Sequence, residues 1–181
     1  MHDLLKLNKD LKNYLDRSTP QMLSDLKGIL QDDSILYLPG KSRKEAAALY
    51  VEYEYDYLDM VYWLADKSGE IISQTQVLPT KKNSKNDEQS KWNSFMPEDI
   101  WDKLADVQDE DLDEELEDLL DEYNDEKYRI FEDWFCSCWK KAVEETGIRI
   151  DAYFSIHDTI FKTDLNTLEE IQEEDIKKRY L

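Results

Sequence analysis

The sequence predicts an α+β fold: an antiparallel or mixed sheet of about four strands, with N-terminal, central and C-terminal helices packed against it. Three observations lead there. Leucines recur at helical spacing near the start of the chain, two stretches alternate apolar and polar residues with period two, and these patterns come in blocks rather than in strict strand–helix alternation. At 181 residues the chain has the size of one ordinary domain, and residues 1–181 are read as a single domain.

The elements follow in order. Leu4, Leu5, Leu7, Leu11 and Leu15 mark a first helix. A second is expected to start at Pro20, with Ser18 or Thr19 as N-cap and Met22, Leu23, Leu26 and Leu30 on one face, so that the chain opens as a helical pair. Ile35 to Leu38 is a short apolar stretch closed by the turn residues Pro39 and Gly40. From Ala47, residues Leu49, Val51, Tyr53 and Tyr55 alternate with Tyr50, Glu52, Glu54 and Asp56, the pattern of a half-buried strand. Met60 to Leu64 and Ile71 to Leu78 are two further strands flanking the tight-turn sequence Asp66 to Gly69, which suggests an antiparallel meander.

Thr80 to Gln89 is polar and aperiodic and is expected to be an exposed loop, after which Trp92 and Phe95 return to the core. Pro97 then starts helix again, through Ile100, Leu104, Val107, Leu112, Leu116, Leu119, Leu120 and Tyr123. A break is expected near Asn124, before Phe131, Trp134, Phe135, Cys138 and Ala142, and Gly147 is placed to cap the end. Ile148 to Ile156 alternates again and is read as a fourth strand of the same sheet. A final helix is expected from Thr167 to Lys178, with Thr167 and Glu170 forming a capping box.

Apolar residues make up 40% of the chain and aromatics 12%, enough large side chains for a core without disulfides or metal. Acidic residues outnumber basic ones by 43 to 23, for a formal net charge of -20. That balance argues against nucleic acid and anionic membrane as partners, because both carry negative charge. Cys136 and Cys138, the only cysteines, fall on divergent faces of one helix and are poorly placed to bridge or to chelate together. With no signal sequence and no apolar run of membrane-spanning length, the expected location is cytoplasmic.

The sequence shows no catalytic, metal or cofactor apparatus. Its four glycines do not form a phosphate-cradling loop, and Asp109 to Glu122 lacks the glycine that a calcium-binding loop turns on. His157 and Asp158 are neighbours on an extended chain and are expected to point apart; Cys136 is flanked by Trp134, Phe135 and Trp139, as a packed helix cysteine would be. Neither is assigned a catalytic role.

Two surfaces remain as binding candidates. Sixteen of the residues from Glu98 to Glu126 are acidic and only Lys103 is basic, and the leucine spacing turns Asp109, Asp113, Glu114, Glu117, Asp118, Asp121 and Glu122 outward. Like charges at helical spacing cost a few tenths of a kcal/mol per pair, more than solubility alone requires, so a basic partner surface is the functional alternative to a merely solvated face. The second candidate is the aromatic group around Tyr50 and Trp63, bordered by Glu52 and Glu54: rings facing away from the core with a charged rim suit a protein contact.

The stretches Tyr50-Val51-Glu52-Tyr53, Phe131-Glu132-Asp133-Trp134-Phe135 with Trp139, and Tyr153-Phe154-Ser155-Ile156-His157-Asp158 before Asp164-Leu165-Asn166 resemble the small acidic bacterial immunity proteins of polymorphic toxin systems. The likeness covers most of the chain as a layout. It implies a non-enzymatic cytoplasmic antitoxin that neutralises a cognate, basic toxin domain by direct binding, without cofactor, metal, nucleic acid or membrane. The alternative is an acidic adaptor, or a regulatory protein that mimics nucleic acid.

Overall fold

The computed structural model of the protein describes residues 4–79, 96, 98–108 and 114–180. The expected loop at Thr80 to Gln89, and also Trp92, Phe95, Pro97, Asp109, Leu112 and Asp113, lie outside them. In chain order the elements are α1 (Leu4–Leu30), β1 (Ala48–Tyr53), β2 (Met60–Ala65), β3 (Gln76–Leu78), α2 (Glu98–Gln108), α3 (Glu114–Thr146), β4 (Asp151–Ile156), β5 (Phe161–Asp164), β6 (Glu170–Gln172) and α4 (Glu173–Lys178). The fold is α+β. Its six strands form one mixed sheet in the order β3-β2-β1-β4-β5-β6, where β1 and β4 are parallel and every other pair is antiparallel.

The expected helical pair is one helix. Pro20 lies inside α1, whose apolar stripe runs through it from Leu11 and Leu15 to Met22, Leu26 and Ile29, all buried. An interior proline costs about 3 kcal/mol. Burying each large aliphatic side chain beyond it returns about 1.5–3 kcal/mol, so the packing against α3 wins. The hydroxyls of Ser18 and Thr19, expected as caps, instead donate to the carbonyls of Tyr14 (2.9 Å) and Leu15 (3.2 Å) within the helix. Thr19 also accepts a hydrogen bond from Trp134 Nε1 at 2.9 Å, which ties α1 to α3.

Nor does α3 break near Asn124. Tyr123, Lys127, Phe131, Phe135 and Cys138 keep one buried stripe across that position, and Asn124 turns its side-chain oxygen to the Lys127 ammonium at 3.0 Å. Gly147 ends the helix as expected: at φ +67 it adopts the left-handed conformation and donates to the Val143 carbonyl at 2.9 Å.

The meander β1-β2-β3 is present, with the expected turn after Ala65: the Asp66 side chain accepts hydrogen bonds from the backbone of Ser68 and Glu70. Regular pairing in the third strand is limited to Gln76–Leu78; Ile71 and Ser73 make only single bridges, to Ala65 and Tyr37. β4 is the fourth expected strand. It is buried on both faces, under α1 and α3 on one and under α4, Lys162 and Asp164 on the other.

The expected helix from Thr167 is the largest departure. Asp164 accepts the Asn166 amide on its side chain, and its own amide donates to the Glu169 carbonyl, so residues 164–169 close a hairpin between β5 and β6. This local side-chain turn displaces the capping box, and helix begins only at Glu173. The acids Glu173, Glu174 and Asp175 in its first turn favour a start there.

The main core lies between the sheet and the α1/α3 pair. Phe154 is its centre, stacked on Phe135 (4.3 Å between ring centroids) and in contact with Tyr53 (5.3 Å). Replacing Phe154 with Ala is expected to lower unfolding free energy by about 3–5 kcal/mol in urea titrations.

One buried group opposes folding. Lys127 is 2% exposed, and its ammonium makes one hydrogen bond, to Asn124, while facing the rings of Tyr128 (4.6 Å) and Tyr123 (5.7 Å). Among the described residues no carboxylate pairs with it. Burial pushes its pKa down to about 8 from 10.5, with Asp56 pulling weakly the other way. Between those values the unfolded chain still binds a proton that the folded one has released, so this residue's contribution to stability rises by about 1.4 kcal/mol per pH unit. Lys127→Met is therefore expected to be more stable than the parent at pH 7, with an advantage that shrinks from about pH 8 to about pH 10 when both proteins are unfolded in urea.

Candidate functional site

Alternation along β1 divides the expected aromatic group between two sides. Leu49, Val51 and Tyr53 turn to the core, where Tyr53 meets Phe131 of α3 at 5.0 Å, and Tyr50 and Glu52 turn the opposite way. Trp63 pairs with Tyr50 across β2 and joins it there, the two rings 5.7 Å apart and nearly parallel at 6°. Tyr50, Trp63 and Glu52 therefore share a surface, as expected. That surface lies across the sheet from α3 and its acids, so the two predicted sets do not form one patch.

Beside Tyr50 the outer face holds a charged cluster. Lys162, 6% exposed, donates to Glu52 Oε1 at 3.0 Å and to Ser155 Oγ at 3.2 Å. The other Glu52 oxygen lies 3.2 Å from His157 Nδ1. His157 Nε2 lies 3.3 Å from Asp158 Oδ1, a contact the sequence reading did not expect. Asp158 at φ +60 ends the extended chain and swings its carboxylate back to the ring. Glu54, one step past β1, is exposed and adds to the negative potential at His157.

The geometry gives a serine next to a lysine, but the lysine is engaged by Glu52, and a nucleophile needs a base free to take its proton. The thiols offer no better one. Burial pushes Cys136 up to about 12 and Cys138 to about 11, away from the reactive thiolate. Cys138 lines a groove of about 500 Å³ between α1 and α3, together with Leu15, Ile130 and Trp134. Among the described residues no three His, Cys, Asp or Glu side chains gather to hold a metal, and no helix is long and apolar enough to cross a membrane.

The acidic face can be followed along α3. Glu117, Asp118, Asp121 and Glu122 are exposed opposite the buried Leu116, Leu120 and Tyr123, and none forms an ion pair among the described residues. Asp109 and Asp113 lie outside the described residues, as does the side chain of Glu114, which opens the helix.

The face leads to Tyr55, which the sequence reading placed with the aromatic group and did not join to the acids. Tyr128 lies close enough to Asp125, Asp56 and Tyr55 that all three raise its pKa, behind the larger effect of burial. The β1–β2 loop, residues 54–59, thus abuts α3 and brings Tyr55 (50% exposed) to the end of the acidic face, with Tyr57 (37% exposed) in the same loop. In the sequence the alternation of β1 runs on through Tyr55 and Asp56, but the strand ends at Tyr53, and rings past the end of a strand have no sheet face to pack on. Searches of family models, characterised proteins and solved structures found no match for this chain.

The His157 pKa is raised above the usual 6.5, first by its contact with Glu52 and next by Asp158. In Glu52→Gln the titration midpoint of His157, followed by NMR of its ring protons, is expected to fall; a midpoint that stays put would show that Glu52 does not hold the ring.

Proposed function

We propose that this chain is a non-enzymatic binding protein that neutralises a cationic protein partner by direct contact, in the manner of the bacterial immunity proteins it resembles. The observation that carries the reading is the run of carboxylates on α3, from Glu117 to Asp125, which form no ion pair among the described residues and end against the loop that carries the exposed Tyr55 and Tyr57. Acids repelling one another at three- and four-residue spacing lower helix stability, and a cationic surface placed over them turns that repulsion into attraction.

The division of labour follows from range. Carboxylates act over about a Debye length, roughly 8–10 Å at physiological salt, and speed encounter. Tyrosines act on contact, burying large area at small entropic cost, and slow dissociation. A toxin that uses a basic surface for phosphate chemistry offers the matching charge, and an acidic helix laid over that surface excludes the substrate.

The test begins with capture from a lysate of the source cell on the tagged chain, eluting in rising salt. One basic protein is expected, and adding purified chain should block its activity at about equimolar ratio. The combined reversal Glu117→Lys, Asp118→Lys, Asp121→Lys and Glu122→Lys is expected to slow association about tenfold or more at low salt, read by stopped-flow. Association unchanged by four reversals would sink the reading.

A further inference from the structure

Among the described residues, α4 is the helix that covers part of the outer face of the sheet. α4 lies on one end of it: Ile176 is buried against Ala48 and Tyr153, with Tyr50, Ile171 and Tyr180 packed around them. The residues just after it fasten the helix there: Arg179 donates to the buried Asp164 at 2.5 Å, Tyr180 Oη donates to Asp151 at 2.6 Å, and both reach the Tyr153 hydroxyl at 3.3 Å.

The rings beneath continue past the helix. Tyr153, Tyr50 and Trp63 stand on three neighbouring strands with centroids 5.4 and 5.7 Å apart, so Tyr50 touches the seat of α4 on one side and Trp63 on the other. Beyond Trp63 the apolar surface runs on through Val61 to its cross-strand partner Val77, which is 60% exposed. Trp63 and Val61 keep part of their surface open and belong to neither buried cluster.

Among the described residues the nearby lysines are already paired, whereas the exposed Glu54 is not. Lys162 is engaged by Glu52 and Lys177 by Glu173, and Glu173 is close enough to Tyr50 to raise the pKa of its phenol. Glu54 and Asp158 stand exposed beside His157, past the ends of β1 and β4.

We propose that the strip from Tyr50 over Trp63 to Val61 and Val77 receives a cationic amphipathic helix of a partner protein, lying beside α4. The site is continuous with the seat of a helix already docked, and α4 shows how it is filled: one aliphatic side chain set down among rings. A second helix places an aliphatic residue on Trp63 and Val61 in the same way. An arginine stacks on the exposed part of the Trp63 ring, where a guanidinium gains from both the π quadrupole and the flat contact, and reaches toward Glu54. This rests on the reading of the chain as a binder of cationic proteins, but on a different face of the molecule.

The probe is a labelled synthetic helical peptide of about 18 residues with leucine on one face and arginine on the other. Its affinity for the full chain is read by fluorescence anisotropy at about 300 mM salt, where long-range attraction is screened. Val77→Asp, at an exposed edge position, and Trp63→Ser are each expected to weaken binding about tenfold, whereas the α3 reversals change it less than about threefold. A peptide with glutamate in place of arginine should not bind. Circular dichroism establishes that each variant is folded, and Trp63→Tyr, which keeps a ring, is expected to retain binding. The proposal is overturned if the arginine peptide does not bind the parent chain, if the glutamate peptide binds as well, or if Val77→Asp and Trp63→Ser leave affinity within about twofold. The α3 face is judged separately by the stopped-flow experiment, so either surface can fail alone.

Discussion

The parallel pairing of β1 with β4 is the constraint on which the rest of the architecture depends. Two parallel neighbours cannot be joined by a hairpin, so the chain between them has to return across a face of the sheet. β2 and β3 extend the sheet on one side of β1, and α3 then carries the chain back so that β4 can take the other side. That return path packs Phe131 and Phe135 onto Tyr53 and Phe154, which builds the core. It also fixes which surface of α3 remains outside, so the acidic face is the back of a crossover helix whose front is the core.

The same pairing explains why β4 does not look like β1. A strand with helices on one side and solvent on the other alternates cleanly, as Ala48–Tyr53 nearly does. Ala152 to Ser155 are all buried because α1 and α3 cover one face, while α4, Lys162 and Asp164 close the other. Placing a lysine and an aspartate at such positions demands partners, and Glu52 and Arg179 supply them.

Much of this was legible in the residues, and the misses share a cause. The period-two stretch at β1, the Asp66–Gly69 turn and the Gly147 cap are local patterns, set by neighbours in sequence, and the structure holds each of them. Pro20 and Asn124 read as breaks because local propensity favours a break there; burial along a stripe shared by α1 and α3 outweighs it, and that stripe is visible only once the two helices are known to pack. The β5–β6 hairpin was hidden behind a good capping-box pattern, since Asp164 competes for the same turn with its own side chain. For the candidate surfaces, residue identities indicated acids and rings, but not that Tyr50 and Trp63 would lie across the sheet from α3 while Tyr55 would lie beside it.

The distance along the chain between β1 and β4 has a kinetic side. Ala48 finds its partner Asp151 about a hundred residues later, whereas the β1-β2-β3 meander closes through short loops. The meander can therefore form early, and for that interval β1 is an edge strand with unpaired amides and carbonyls and an uncovered row of Leu49, Val51 and Tyr53. Contact order places the slow step at the arrival of β4, and until then the nascent sheet is a template to which another extended chain can add. The surplus negative charge works against that addition, because two such half-formed chains repel one another before their edges can meet. The acidity thus disfavours association of half-formed chains while the sheet is incomplete.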